Sequence, residues 1–367
     1  MTVPHSITDE LAPQLLKEIA CNGPMQLDAF MQASAVHYYS GSERIGASGD
    51  FTTAPEISQL FGEMIAAFLT YLTSIAEADG TAFLFEAGPG RGTLLFDMKR
   101  CFAAISPQLD DADIILLETS PVFRTLISEL TSKPVSFIAK VDALPHRPFF
   151  GVANEFFDAL GTRQLIFDGT AWCWHLVDKV AQPQKNETPF RLTKSSPIPL
   201  SEYPVFLPDK PEAGTICEVS PAAEEMMRSF AVHIAQFGGA LIICDYGKTT
   251  NQGDTVQALY KHQPVTILSS PGNSDITHVV DFSALARVAQ NAGARLVGPV
   301  EQGVFLREIG IMERAEQLRS GSDPEGDRAL LSAVDRLISP AHMGSLYKVA
   351  LLVPAGDGFP PGFSSLD

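Results

Sequence analysis

Cysteine is too sparse and too scattered in this chain to build a site. Cys21, Cys101, Cys173, Cys217 and Cys244 stand far apart and form no Cys-x-x-Cys pair, which speaks against a disulfide framework and against zinc. Positive charge is also scarce. The 26 Lys and Arg residues face 43 Asp and Glu, a formal net charge of −17, and a chain so poor in clustered cations is not built to neutralise nucleic-acid phosphates. Nor is there a long apolar run: the most hydrophobic helical stretch, Leu60 to Ile75, carries Glu63 and is too short to span a bilayer. The opening MTVPHSITDE has no basic region leading into an apolar one, so no signal peptide or mitochondrial presequence is read. With free cysteines, this leads to the expectation of a reducing, cytoplasmic location.

What is present suits a large folded core. At 367 residues and 45% apolar content, one α/β domain with sizeable additions is expected. Between Thr8 and Ala35 apolar residues recur at helical spacing in two segments broken by Gly23-Pro24, and the stretch from His37 to Glu56 reads as a long loop of the kind that covers a site. Pro55 suits the first turn of a helix reaching about Ile75. After Thr81 short continuous apolar strands alternate with helices: AFLFE, IILLE, VSFIA, GVANE and, later, ALIICDYG. Such alternation indicates a parallel sheet covered on both faces. Arg163 to Val180, turning at Gly169-Thr170, reads instead as an antiparallel hairpin. It leads into a proline-rich excursion, Thr188 to Pro211. The expected organisation is a helical cap and covering loop over 1–80, then a sheet domain over 81–367 with an insertion at about 161–211.

The first strand runs into FEAGPGRGTLLFD, at the strand end where open α/β sheets bind ligands. A triphosphate loop would need G-x-x-x-x-G-K-[ST], and Gly247-Lys248-Thr249 has Ile242 where the first glycine belongs. The dinucleotide spacing G-x-G-x-x-G fails at Thr93. What remains is E-x-G-x-G-x-G, the loop form of S-adenosyl-L-methionine (SAM) methyltransferases. Gly88, Gly90 and Gly92 would let backbone approach the methionine portion of SAM, and Glu86 could meet its ammonium group. Glu118, ending the second strand, could accept from the ribose hydroxyls, and Asp142, after the third, from the adenine amino group. The plainer reading of Glu118 and Asp142 is helix caps.

Several longer stretches carry a resemblance. GDFTTAPEISQLFGE, FEAGPGRGTLLFDMKR, NEFFDAL, CDYG, PGNSDITHVVDF and GVFLREIGI run in family order, and the chain resembles the MidA-like SAM-dependent methyltransferases, which include a mitochondrial arginine methyltransferase of complex I assembly. The resemblance implies a seven-stranded doubly wound methyltransferase sheet with an N-terminal helical cap and an inserted β-hairpin excursion. It implies SAM as cofactor, S-adenosyl-L-homocysteine (SAH) as product, and a protein substrate with an exposed arginine, consistent with the negative charge. It also implies that Asp50, Thr52 and Pro55 close over the cofactor pocket and that NEFFD faces the transferred methyl.

Methyl transfer from a sulfonium needs positioning rather than a metal. If the nucleophile is a guanidinium, carboxylates must grip and orient it, and Glu155, Asp158 and Glu218 are the candidates. Asn154, Phe156 and Phe157 could floor and stack against the planar group, with Asp245 and Tyr246 lining the channel. The alternatives are a helix N-terminal charge pair for Glu155 and Asp158, a plain strand-end acid for Glu218, and ordinary core for the aromatics. His262 and His278 could relay a proton but read more naturally as structural, and Asp275 and Asp281 as loop-orienting or capping groups. Two other functions stay open: a SAM-binding assembly chaperone without turnover, and a small-molecule methyltransferase.

Overall fold

The computed structural model describes residues 11–40, 53–76, 81–184, 187–199, 207–261, 263–319, 323–356 and 360–363. Asp50, Thr52 and His262 lie outside the described residues, as does most of the loop read between His37 and Glu56. The chain divides into two compact units: 52–157, 225–248 and 282–367 form one, and 1–51, 158–224 and 249–281 the other.

The first unit is built on strands β1 (Phe83–Ala87), β2 (Ile114–Leu117), β3 (Val135–Ile138), β4 (Phe149–Asn154), β5 (Gly239–Lys248), β6 (Ala294–Glu301) and β7 (Tyr347–Pro354). Their hydrogen-bonded order is β6-β7-β5-β4-β1-β2-β3. All pairings from β5 to β3 are parallel, and β7 runs antiparallel between β5 and β6. From β1 the chain winds outward to β3 and then returns to β4 on the other side, so the order reverses between β1 and β4. That reversal is where open sheets leave a crevice at their strand carboxyl ends.

Alternate residues of the strands explain the two covered faces. Leu84, Leu116, Val152 and Ile242 enter one core with Leu60, Phe61, Ile65 and Leu69 of helix Gln59–Ile75 and with Phe305 and Leu306 of helix Gln302–Glu308. Phe85 and Phe149 turn the other way and meet the ring of Phe230 in helix Pro221–Phe237, at 5.6 and 6.5 Å between centroids. The seven-stranded methyltransferase sheet expected from the sequence is therefore what the chain forms. Gly151, central in β4, has no room for a side chain, since a Cβ would lie 2.5 Å from the Phe85 carbonyl oxygen. Gly151→Ala is expected to cost about 1–3 kcal/mol of stability, as core overpacking does, read by denaturant unfolding.

The helix expected from Pro55 to Ile75 is two helices, Ala54–Ile57 and Gln59–Ile75. Ser58 is extended between them, and its Oγ accepts from the Leu60 N–H at 3.2 Å, a cap that restarts the helix.

The second unit holds helices Ala12–Asn22 and Leu27–Ser40 and an antiparallel sheet in which Arg163–Phe167 pairs with Trp172–Lys179. Asp168 closes the hairpin, its Oδ1 accepting from the Thr170 and Ala171 amides and the Thr170 hydroxyl, each at 2.8 Å. Those bonds favour the charged form and hold its carboxyl well below the usual range. A further sheet of Gln257–Tyr260, Gln263–Val265 and Asp275–Thr277 was not legible in the sequence.

Candidate functional site

The glycine loop after β1 has the backbone its sequence demands. Gly88, Gly90 and Gly92 take φ of 65°, 52° and 82°, the left-handed region that glycine enters without a Cβ clash. A Cβ on Gly88 would stand 2.8 Å from the Phe156 ring, whereas one on Gly90 would meet nothing within 4 Å. The loop thus passes open space at Gly90 and delivers the N-terminus of helix Thr93–Ile105 there.

Glu86 is 3% exposed, and its Oε2 is buried without a hydrogen-bond partner. Burial first, then the nearby Glu118, pushes its carboxyl up to about 8. A buried orphan acceptor of this kind calls for a donor, and a ligand ammonium supplies one. Glu118, just past β2, is 8% exposed and receives the Ser120 N–H on Oε1 at 2.7 Å. Burial raises its carboxyl, opposed by bonds from the Ser120, Thr119 and Gly90 amides and by Arg124. Asp142 sits exposed in the 3-10 turn Val141–Ala143 after β3. The three acids thus stand at the ends of three adjacent strands, and the residues present fit SAM: an orphan carboxylate for the ammonium, glycine backbone for the amino-acid portion, and a buried acid one strand over.

Across the order reversal, β4 ends in Asn154 and the chain turns at Glu155, which holds φ 48°, a left-handed value rare outside glycine. Such backbone strain persists where the surroundings over-determine it, and it clusters at functional sites. Four bonds supply that constraint. The Glu155 N–H donates to the Cys244 carbonyl at 2.9 Å, Oε1 accepts from the Ala54 N–H and Asn154 Nδ2 at 3.3 Å each, and Oε2 accepts from the Tyr347 hydroxyl at 3.0 Å. Asn154 Oδ1 is itself buried with no partner. Asp245, fully buried at the end of β5, accepts from the Phe157 and Tyr246 amides at 2.9 Å each and so fixes the turn. Phe156 and Phe157 cross edge to face at 5.5 Å, and Tyr246 packs against Tyr347 with 4.0 Å between ring centroids. Glu86, the glycines, Asn154, Glu155, Phe156, Phe157, Asp245 and Tyr246 therefore belong to adjacent strand ends of one unit. Pro55 is buried in the short helix whose Ala54 amide reaches Glu155.

Asp158 and Glu218 belong to the other unit. The Asp158 carbonyl accepts from the His278 amide at 3.1 Å, and His278 Nε2 bonds the Leu160 carbonyl at 2.9 Å, a structural use of that histidine. Asp275 accepts from the Tyr39 hydroxyl at 3.1 Å, and burial, then Asp275 and Asp158, raise that phenol. Both Glu218 oxygens are occupied: Oε1 by Gln164 Nε2 and the Thr255 amide at 3.1 and 2.8 Å, Oε2 by the Thr255 hydroxyl at 2.5 Å.

Tyr347 and Ala54 were not singled out from the sequence. Periodicity alone carries no signal for Tyr347: only the register Tyr246↔Tyr347 brings the start of an antiparallel strand to the carboxyl end of β5.

Residues 64–300 match the model of a family described as S-adenosyl-L-methionine-dependent methyltransferases. The chain is 33% identical over 371 residues to the rat mitochondrial protein arginine methyltransferase NDUFAF7, covering 93% of this chain and 83% of the relative. Its similarity to the human protein of that name is 31% over 372 residues, covering 93% and 82%. Among solved structures, a Burkholderia thailandensis protein bound to S-adenosyl-homocysteine superposes with a TM-score of 0.80 at 26% identity, covering 99% of this chain and 98% of the other. The relatives are named as mitochondrial, which overturns the cytoplasmic location expected from composition and the first residues. Among the described residues no helix is long and apolar enough to cross a membrane.

Proposed function

The chain belongs to the SAM-dependent methyltransferase family, and on that premise we propose that it methylates arginine on a protein substrate, with the Glu155 turn as its transfer site. One observation carries the placement: a strained carboxylate with a buried orphan amide oxygen beside it, at the sheet reversal and one strand from the glycine loop. Bound SAM supplies an electrophilic sulfonium methyl. The chain's residues do the rest. Glu86 and the glycine loop hold the amino-acid portion, and Glu118 and Asp142 the ribose and adenine, with Pro55 in the cover. Glu155 and Asn154 Oδ1 accept from guanidinium N–H groups and aim one nitrogen, while Phe156 and Phe157 supply a stacking wall. Positioning of this kind can be worth about 7–11 kcal/mol of the barrier. As the N–C bond forms and the C–S pair returns to sulfur, the displaced proton passes to Glu155. Glu218 serves as a support that holds the Thr255 loop.

The names of the relatives support arginine on a protein as the acceptor, the family resemblance supports a target in a respiratory complex under assembly, and the net charge of −17 suits an arginine-bearing partner. The test is transfer from tritiated SAM into a lysate of cells lacking the protein, followed by hydrolysis to amino acids. Label in methylated arginine is expected, and none with a Gly88→Val variant. Label only in small molecules would replace the protein substrate with a metabolite, and SAH binding without any transfer would favour the assembly chaperone.

A further inference from the structure

We infer that Tyr347 is a positioning residue for Glu155, holding its carboxylate in the orientation that transfer requires; the inference rests on the reading of Glu155 above. The bonds at the Glu155 carboxylate are unequal. On Oε1 the Ala54 and Asn154 donors stand at 3.3 Å, beyond the usual N–H···O range, while the phenol reaches Oε2 at 3.0 Å, the outer limit of the O–H···O range. Of these three donors the phenol is the one within its ordinary bonding distance. It leaves Oε1, with its two long bonds, as the oxygen that can turn to an incoming N–H.

The phenol is itself well fixed. Tyr347 is 1% exposed, pairs in register with Tyr246 and packs on that ring at 4.0 Å with 38° between planes. A ring so buried has few rotamers, so the hydroxyl is presented as rigidly as a backbone group. The packing of Tyr347 would be equally served by phenylalanine. The hydroxyl adds the bond to a carboxylate, and hydrogen bonds to a charged partner are stronger than neutral ones.

Because Phe keeps the ring and the core contacts, Tyr347→Phe separates the two roles. SAH affinity is expected to stay as in the wild type, while transfer into the lysate falls about tenfold, the loss typical of one hydrogen bond to a charged group. In a Glu155→Gln background the same change should have no further effect, because its partner charge is already gone. Multiplying effects, or a Tyr347→Phe rate equal to wild type, would overturn the inference. A Glu155→Gln protein that keeps the full rate would instead sink the reading of Glu155 itself.

A second measurement is independent of turnover and of the Phe variant's folding. With 3,5-difluorotyrosine placed at position 347, the fluorine resonance reports the phenol's ionisation. Its midpoint is expected to lie at higher pH beside Glu155 than in the Glu155→Gln background, since a neighbouring carboxylate opposes phenolate formation. Equal midpoints in the two backgrounds would show that the phenol and the carboxylate are uncoupled, and the inference fails.

Discussion

Glu155→Gln lowers methyl transfer by about a hundredfold or more while SAH binds as before; that is the expected result of steady-state transfer assays paired with calorimetry. General acid–base groups contribute about 10²–10⁴-fold, and the amide of Gln can neither take the proton nor balance the guanidinium charge. The cofactor-side groups, Glu86 and Glu118, lie at the ends of other strands and are not bonded to Glu155 among the described contacts. The companion variant is more telling. Glu155 holds φ 48°, which glycine adopts freely, so Glu155→Gly should be inactive while keeping the turn, with any loss in thermal unfolding set by the Ala54 amide and Tyr347 hydroxyl left without their carboxylate. A residue kept where glycine would fit the backbone better is kept for its side chain. Wild-type activity in either variant would remove Glu155 from the chemistry.

The second large effect is a proton released on cofactor binding. With its carboxyl pushed to about 8, Glu86 is mostly protonated at neutral pH in the free protein. A ligand ammonium against Oε2 favours the ionised form, so near pH 6.5 uptake of SAH should expel close to one proton. Affinity should rise by up to about tenfold per pH unit as pH climbs toward 8, where Glu86 ionises unaided. Titration calorimetry in buffers of different ionisation heat measures the proton directly, and Glu86→Gln should abolish it. For the free protein the linkage has the opposite sense. The unfolded carboxyl, near 4.5, loses its proton before the folded one does, so stability present at low pH declines as pH rises through the window from about 4.5 to about 8. Bound SAH should restore stability most at the upper end. Binding heats indifferent to buffer would show that Glu86 does not ionise on binding.

The parallel strands and the glycine loop could be read because their signals are local: apolar runs of four to six residues, and glycines at fixed spacing where the backbone must take positive φ. Glu86, Glu118 and Asn154 could be singled out for the same reason, each ending or following a recognisable strand. Ser58 escaped because its interruption of an otherwise continuous helical pattern lasts one residue. The three short strands around Gln257 and Asp275 are too brief and too polar to show a period. Glu218 was singled out as a strand-end acid, but its neighbours Gln164 and Thr255 come from 54 and 37 residues away, and only the folded sheet discloses them. Tyr347 depends on a non-local register in the same way.

The position of β7 gives the protein a built-in order of manufacture. It is threaded between β5 and β6 yet follows both in the chain, so a growing polypeptide carries a gap in its sheet until β7 has been made. Until then β5 presents a bare edge, and the carboxylate at 155 lacks its phenol. A chain cut short before β7 can therefore complete the glycine loop and the first five strands while the Glu155 carboxylate waits for its phenol. The strand that brings that hydroxyl is the one that also seals the sheet against wayward pairing.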